Sequence, residues 1–520
     1  MLKKKYLFII LLLLIPYITF ADKVKTSKCV KLEKIDLDEN DILDVKTQDK
    51  LFFNYYGKCI DSKIIKEILA TISKYYINKG YITTKPYIKE QNIDDGQLDI
   101  FVLKGIIENI VEEKSGKSSK KIKTAFLLQK GKALNLRDLE TSLEMINRVP
   151  SINAKFDIKP GSEQGNSIIE IIEKKSTPFH LQIGATDEGN IEDGDPYLTA
   201  NASIDNPFKI NDIFVFRLNG TKIQKEYQGN KAIELNYTFP LGSFLYEIVY
   251  FKYDYNSEIV GINDIYNTSG ETRGGKFKIN KIFFRNQTNK LKLTLGVEYK
   301  NTKNFFSNEL IEVSSYKTTL AQVDLSHTHM RSWGQIISRY GFYAGTDWFG
   351  ARDDSYFTNI SSSNEAKLQF IKYTLDTNIY FFFKDNSYQL NSNIHAQYTN
   401  DFLYNNNKLS IGSYYTVRGY QNSLYGNRGI YTYNDFIKTF YPNFSGKFLQ
   451  TISPSIGFDY GYIDCQEDNK NSCGDLSGAT IALKTDAKFI TIDLALSKSL
   501  IKVKEFKDDT LLRYNFLIKF

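Results

Sequence analysis

The most specific chemistry in this chain sits around one arginine. In IGSYYTVRGYQNSLYGNRG, Val417, Arg418, Gly419 and Tyr420 run in sequence, and Gly426, Arg428 and Gly429 follow shortly after. A guanidinium is a planar fork of N–H donors suited to bidentate capture of a carboxylate. Glycines on both sides let backbone approach backbone, so a compact turn held against another surface is expected. A carboxylate for it is Asp459 in GFDYG. On an alternating strand Gly457, Asp459 and Gly461 share one face, and the two glycines leave room there for an incoming loop. Two readings stand: an internal Arg418–Asp459 pair, or a solvated arginine and a solvated aspartate. The first would make the pair a clasp, and neither involves a covalent step.

Catalysis finds little else to work with. The 520 residues hold four histidines, and no Ser/His/Asp or paired-carboxylate constellation stands out, so no enzyme is expected. Four cysteines without a CxxC motif or a neighbouring ligand cluster argue for no metal, and no cofactor or nucleotide motif is present. The net charge of +7 comes from 67 basic and 60 acidic residues that are scattered, so no nucleic-acid partner is expected.

The elements that must carry the clasp are strands. The chain closes on LLRYNFLIKF, with Leu512, Tyr514, Phe516, Ile518 and Phe520 on one face. An aromatic-rich terminal strand with one apolar face is what a membrane β-barrel needs, because lipid offers no partner to a free backbone edge. At the other end, residues 1–21 read as a signal peptide: Lys3 to Lys5, an apolar core from Leu7 to Ile15, then Ala21 before Asp22. A retained N-terminal helix is the alternative. No later segment offers the roughly 20 continuous apolar residues of a helical span, so outer-membrane lipid must be met by strands.

From 178 to 520 the pattern is short alternating segments, as in KLKLTLGVEYK, where Leu291 to Tyr299 oppose Lys290 to Lys300. Sixteen such strands are expected, from 179–187 to 511–520, with 362–380 as the tenth and long external connections at 256–272, 302–312, 346–361, 401–427 and 501–510. A soluble β-sandwich would not explain so many strands. The loop 401–427, which carries Arg418, is expected to fold into the lumen.

Two small mixed modules precede the barrel, at 29–104 and 105–175. The first reads strand, helix, helix, strand, strand, with Gly80 stopping the second helix and Asp95-Gly96 turning into LDIFVL. The second has a helix with Leu136, Leu139, Leu143 and Ile146 on its apolar side and Arg137, Asp138, Glu140 and Glu144 on the wetter one. Pro160-Gly161 then turns into SIIEIIE. In an exported chain, Cys29 and Cys59 are expected to form a disulfide tying the first strand to the start of the first helix, with metal binding the weaker alternative. Cys465 and Cys473 flank a polar turn and are expected to pair likewise. Free sheet edges on the modules suit addition of an extended strand from another chain; a role as mere spacers is the alternative.

Taken together, YYINKGYITTKPYI with DGQLDIFVLKG, LNLRDLETSLEMINRVPS (Leu136, Arg137, Asp138, Glu140, Asn147), VRGY, NRG, GFDYG and the terminal Phe520 resemble the hemolysin secretion and activation family, the outer-membrane transporters of two-partner secretion within the Omp85 superfamily. The resemblance spans nearly all of the chain after residue 21. It implies an all-β transmembrane barrel of sixteen antiparallel strands preceded by two small α/β POTRA domains in the periplasm. Arg418 would be the arginine of the inward loop motif and Asp459 its barrel-wall aspartate. The implied partners are an unfolded secreted client with an N-terminal two-partner secretion domain, such as an adhesin, hemolysin or contact-dependent toxin, and the general machinery that inserts barrels. One family feature is not expected: a pore-filling N-terminal helix. Only Asp22 to Lys28 precede Cys29, about 10 Å of helix against roughly 30 Å of hydrocarbon. Competing readings are an Omp85-type assembly factor that inserts other barrels, and a passive porin, which would leave the modules and VRGY idle.

Overall fold

The computed structural model describes residues 29–38, 42–187, 196–221, 229–261, 264–354, 366–442, 448–466, 472–503, 506 and 510–520. The expected signal peptide, and Asp22 to Lys28 after it, lie outside them. No helix among the described residues is long and apolar enough to cross a membrane.

The first module comprises β1 (Lys34–Asp38), α1 (Val45–Phe52), α2 (Ser62–Asn78), β2 (Lys85–Tyr87) and β3 (Gln97–Leu103), in the order expected. Its sheet runs β1-β3-β2, with β1 parallel and β2 antiparallel to β3. Period sets burial: Ile68, Ile72 and Tyr76 recur every fourth residue on α2, and Leu98, Ile100 and Val102 every second residue on β3, and all six are buried. The Asp44 side chain caps α1 by accepting from Thr47 N–H at 3.0 Å. Cys29 and Cys59 are bonded. The bridge ties the segment leading into β1 to the turn before α2, not to the start of α1, because Cys59 falls after the first helix.

The second module repeats the plan with β4 (Ile106–Glu112), α3 (Lys120–Ala125), α4 (Leu136–Asn147), β5 (Ile152–Pro160) and β6 (Asn166–Lys175), and its sheet runs β4-β6-β5. Its core gathers Ile107, Ile122, Leu139, Ile146, Ile169 and Ile171 among others. One charge enters this interior. Lys121 is buried and pairs with Glu112 at 3.1 Å and with Glu173. Burial opposes its charge, but the two carboxylates outweigh that cost and hold its pKa above the usual lysine value.

Sixteen long antiparallel strands close the barrel, together with the two-residue strand Glu309–Leu310. The sixteenth (Thr510–Lys519) pairs with the first (Phe179–Thr186), from Asn515 opposite Thr186 to Lys519 opposite Gln182, and so removes the free edge. Leu512, Phe516, Ile518 and Phe520 are exposed on its outer face, where lipid supplies the apolar contact.

Two stretches differ from the sequence reading. Most of 256–272 is ladder, not loop: the fifth strand (Phe244–Val260) and sixth (Ile265–Arg285) stay paired as far as Val260 opposite Ile265. Similarly, the seventh strand (Asn289–Phe306) continues into 302–312. The apolar alternation lapses over the polar runs 256–258, 267–272 and 302–304, so the sequence does not mark the ladder there. The tenth strand is Ile371–Phe383 instead of 362–380. Ahead of it Leu368 and Phe370 are buried, and Lys367 bridges to Leu403 at the base of the inward loop.

Candidate functional site

The eleventh strand (Tyr388–Thr399) and twelfth (Gly429–Lys438) are joined by the segment that contains VRGY. It forms a small antiparallel hairpin, Leu409–Ile411 against Leu424–Gly426, whose tip carries residues 412–423. The Thr416 hydroxyl accepts from Gly412 N–H and Ser413 N–H, both at 3.1 Å, and folds the tip back. Leu409, Ile411, Val417, Tyr420 and Leu424 cluster with Ile463 and Leu476 of the barrel wall. The base is fastened as well. Asn427 Oδ1 accepts from Leu403 N–H at 2.9 Å, and Arg428 Nε donates to Thr399 O at 2.5 Å.

Side-chain alternation on the thirteenth strand (Leu449–Ile463) shows which face receives this tip. Ile456, Phe458 and Tyr460 are exposed outward, whereas Asp459 has no solvent exposure. Arg418 meets it with both prongs of its fork, Nε to Oδ2 at 2.6 Å and Nη2 to Oδ1 at 2.7 Å, and its backbone N–H adds a third bond at 3.1 Å. Two groups on the twelfth strand complete the site. Asp435 accepts from Arg418 Nη1 at 2.8 Å, and the guanidinium lies 4.0 Å from the centroid of the Tyr433 ring. A buried cation is thus held by two carboxylates and an aromatic face, while the Asn434 carbonyl accepts a further bond.

Close approach explains the glycines. A methyl group at Gly457 would stand 2.2 Å from Arg418 Nη2, and one at Gly461 2.9 Å from the Val417 side chain. Gly419 has φ of +94°, and a Cβ there would strike the Lys498 carbonyl carbon at 2.4 Å. Next to it, the Tyr420 hydroxyl donates to Ser477 O at 2.8 Å and Ile501 O at 2.9 Å, and accepts from Ser477 N–H at 3.1 Å. The clasp therefore reaches from the twelfth strand to the end of the fifteenth (Ile490–Ser499). Of these contacts, the sequence offered Arg418, Asp459 and the glycines of VRGY and GFDYG. It did not offer Asp435, Tyr433, Ser477 or Gly478, where a Cβ would meet the Arg418 carbonyl.

A second constellation lies where α4 meets the barrel. The residues of the LNLRDLE motif serve the module itself: Arg137 pairs with Glu140 at 2.7 Å, Leu136 is half-buried, and Asp138 is exposed in the first helical turn. Asn147 exchanges two bonds with the Ala154 backbone, at 2.9 and 2.6 Å. The residues that touch the barrel are others on the same helix or just after it. Glu144 pairs with Arg285 and, at 3.0 Å, with Lys290. Burial opposes its charge, but these two cations outweigh it and hold the carboxyl below the usual glutamate range. Arg148 donates to Thr238 Oγ1 and to Asn211 O, each at 2.6 Å, and burial, partly offset by Asp212 and Asp205, lowers its pKa to about 10. Between α4 and the wall lies a cavity of about 740 Å³, bordered by Glu144, Arg148, Lys290, Lys292, Arg339 and Asp376. Among the described residues no group of three or more His, Cys, Asp or Glu could hold a metal ion. Cys465 and Cys473 are joined just beyond the thirteenth strand.

Comparison with known proteins agrees with this architecture. The model of the haemolysin secretion/activation proteins ShlB/FhaC/HecB matches residues 165–485, an ShlB-type POTRA domain matches 30–105, and a further POTRA domain matches 106–160. The hemolysin transporter protein ShlB of Serratia marcescens is 28% identical over 452 residues, covering 85% of this chain and 77% of that protein. The outer membrane transporter CdiB of Dickeya dadantii is 25% identical over 417 residues, covering 80% and 73%. The solved structure of CdiB from Escherichia coli superposes with a TM-score of 0.87 at 23% identity, covering 96% of this chain and 93% of that one, and so shares the fold.

Proposed function

Because the chain belongs to the haemolysin secretion/activation family of ShlB, FhaC and HecB, an outer-membrane translocator with POTRA domains in the periplasm, we propose that it exports a partner exoprotein. The client is a large protein with an N-terminal two-partner secretion domain, received unfolded in the periplasm and threaded through the barrel. Adhesins, hemolysins and contact-dependent toxins are the candidate classes, and the transporters of hemolysin and of the CdiB type are its relatives. The observation that carries this reading is the loop clasped inside a closed barrel by a buried ion pair. A passive pore would also leave the two POTRA domains without a role. The clasp holds the loop in a secretion-competent arrangement, and the chain needs no catalysis for the step.

Client recognition belongs on the POTRA sheets, where β2 and β5 each pair on one side only. The Ala154 N–H and C=O face Asn147, so by alternation the same edge of β5 presents the backbone of Phe156 and Ile158. An extended client segment would add there as a fourth strand. Refolding outside would oppose backsliding and supply the drive. The test uses cells carrying this transporter and the large exoprotein encoded beside it. Deleting residues 29–173 should leave an inserted barrel that no longer binds the client's secretion domain and leaves the client in the periplasm. Unchanged export without the transporter, or unchanged affinity of the purified barrel, would overturn the proposal.

A further inference from the structure

On the outer face of the eighth barrel strand (Tyr316–Arg331), apolar residues give way to two histidines and an arginine. Val323 and Leu325 are exposed, whereas Ser326 and Thr328 border the cavity beneath α4. Alternation therefore points His327, His329 and Arg331 outward, on the Leu325 side and away from the lumen. Their level is the periplasmic rim. The turn that follows stacks Trp333 on Phe381, ring centroids 5.2 Å apart, and the adjacent turn begins beside Arg285, which holds Glu144 of α4. Tryptophan favours the headgroup level of a bilayer.

These side chains are held in place. Asn289 N–H donates to Asn286 Oδ1 at 2.7 Å, which fixes the turn. Asn289 Oδ1 then accepts from His327 Nε2 at 2.9 Å and His329 Nδ1 at 2.8 Å. In turn His329 Nε2 accepts from Arg331 Nε at 2.9 Å, which orients the guanidinium. The two terminal nitrogens of Arg331 are left without a protein partner among the described residues. An oriented pair of charge-assisted donors at headgroup level, beside lipid-facing leucine and valine, fits a phosphodiester whose acyl chains lie along the barrel.

We propose that Asn289, His327, His329 and Arg331 form a binding site for the phosphate of an anionic phospholipid in the periplasmic leaflet. The lipid would sit against the seventh and eighth strands, directly outside the wall where Lys290 engages α4. The site would thus anchor the barrel at the place where the second POTRA domain docks. The test is native mass spectrometry of the purified full chain after exchange into detergent with phosphatidylglycerol or with phosphatidylethanolamine. Wild type should retain phosphatidylglycerol in preference. Arg331→Ala should weaken retention about fivefold, as expected for one cation near an anionic surface, and His327→Ala/His329→Ala/Arg331→Ala should abolish the preference. Heat-dependent gel mobility will show that each variant is a folded barrel, and Lys488→Ala, which removes a different rim cation resting 4.7 Å from the Phe489 ring, should retain lipid as wild type does. Equal retention of both lipids by wild type, or undiminished phosphatidylglycerol in the folded triple variant, would overturn the site.

Discussion

Arg418 lies against two wall glycines, Gly457 at its guanidinium and Gly478 at its backbone carbonyl. The clearest probe is Gly478 on the fourteenth strand (Gly474–Ala487), where a Cβ would stand 1.9 Å from the Arg418 carbonyl oxygen, a backbone atom that cannot rotate away. Gly478→Ala should therefore displace the tip at 412–423 while the ladder beneath stays paired, and limited proteolysis in membranes should cut there. Unaltered protection would contradict the packing. Tyr420→Phe is the milder change: Ser477 O keeps the Leu500 N–H at 2.8 Å, but the Ser477 N–H loses the hydroxyl that accepts from it, which should cost about 1–3 kcal/mol, read as an earlier thermal transition of the barrel. Asp459 was legible in the sequence because two glycines share its face. Asp435 was not, since its place depends on the register that sets it opposite Gly457, and the sequence carries no record of register. Gly478 likewise reads as one small residue in SGAT.

At the scale of elements, α4, which the Asn135 side chain caps by accepting from Arg137 N–H, was recognisable from its apolar spacing. Its partner was not. Glu144 looked like a solvated residue, yet it reaches Arg285 and Lys290 some 140 positions away, a contact between modules that periodicity cannot encode. The shift of Glu144 gives a pH dependence with a definite sign. Its docked pKa is depressed, so the contact contributes fully above the ordinary glutamate value and is lost as pH falls through the lower, docked value. Acidification should loosen α4 from the barrel, seen as faster amide exchange over 136–147, and Glu144→Gln should show the loosened behaviour already at neutral pH. Exchange independent of pH in the wild type would contradict this. The extended hairpin at 256–272 escaped the sequence reading for a different reason: polar runs at 256–258 and 267–272 interrupt the alternation while backbone bonds keep the ladder paired.

For the molecule as a whole, closure was legible in the alternating strands from 179 onward. The apolar alternation of 511–520 suits a strand with an edge to close, and this strand pairs with the one that begins at Phe179. Sixteen strands then bring the loop after the eleventh against the wall formed by the twelfth to fifteenth. Family membership and location follow from that architecture together with the match over 165–485. What joins architecture to export is the clasp, and one measurement tests it most directly: the rate at which the co-encoded exoprotein reaches the medium from cells carrying Arg418→Ala. Removing the guanidinium leaves Asp459 buried without its partner, whereas the lipid-facing strands are untouched. The variant should insert as a heat-modifiable barrel at wild-type levels and export its client at a small fraction of the normal rate, with Arg418→Lys failing to restore it because an ammonium cannot span both carboxylate oxygens. Export at the wild-type rate by a correctly inserted Arg418→Ala barrel would contradict the account.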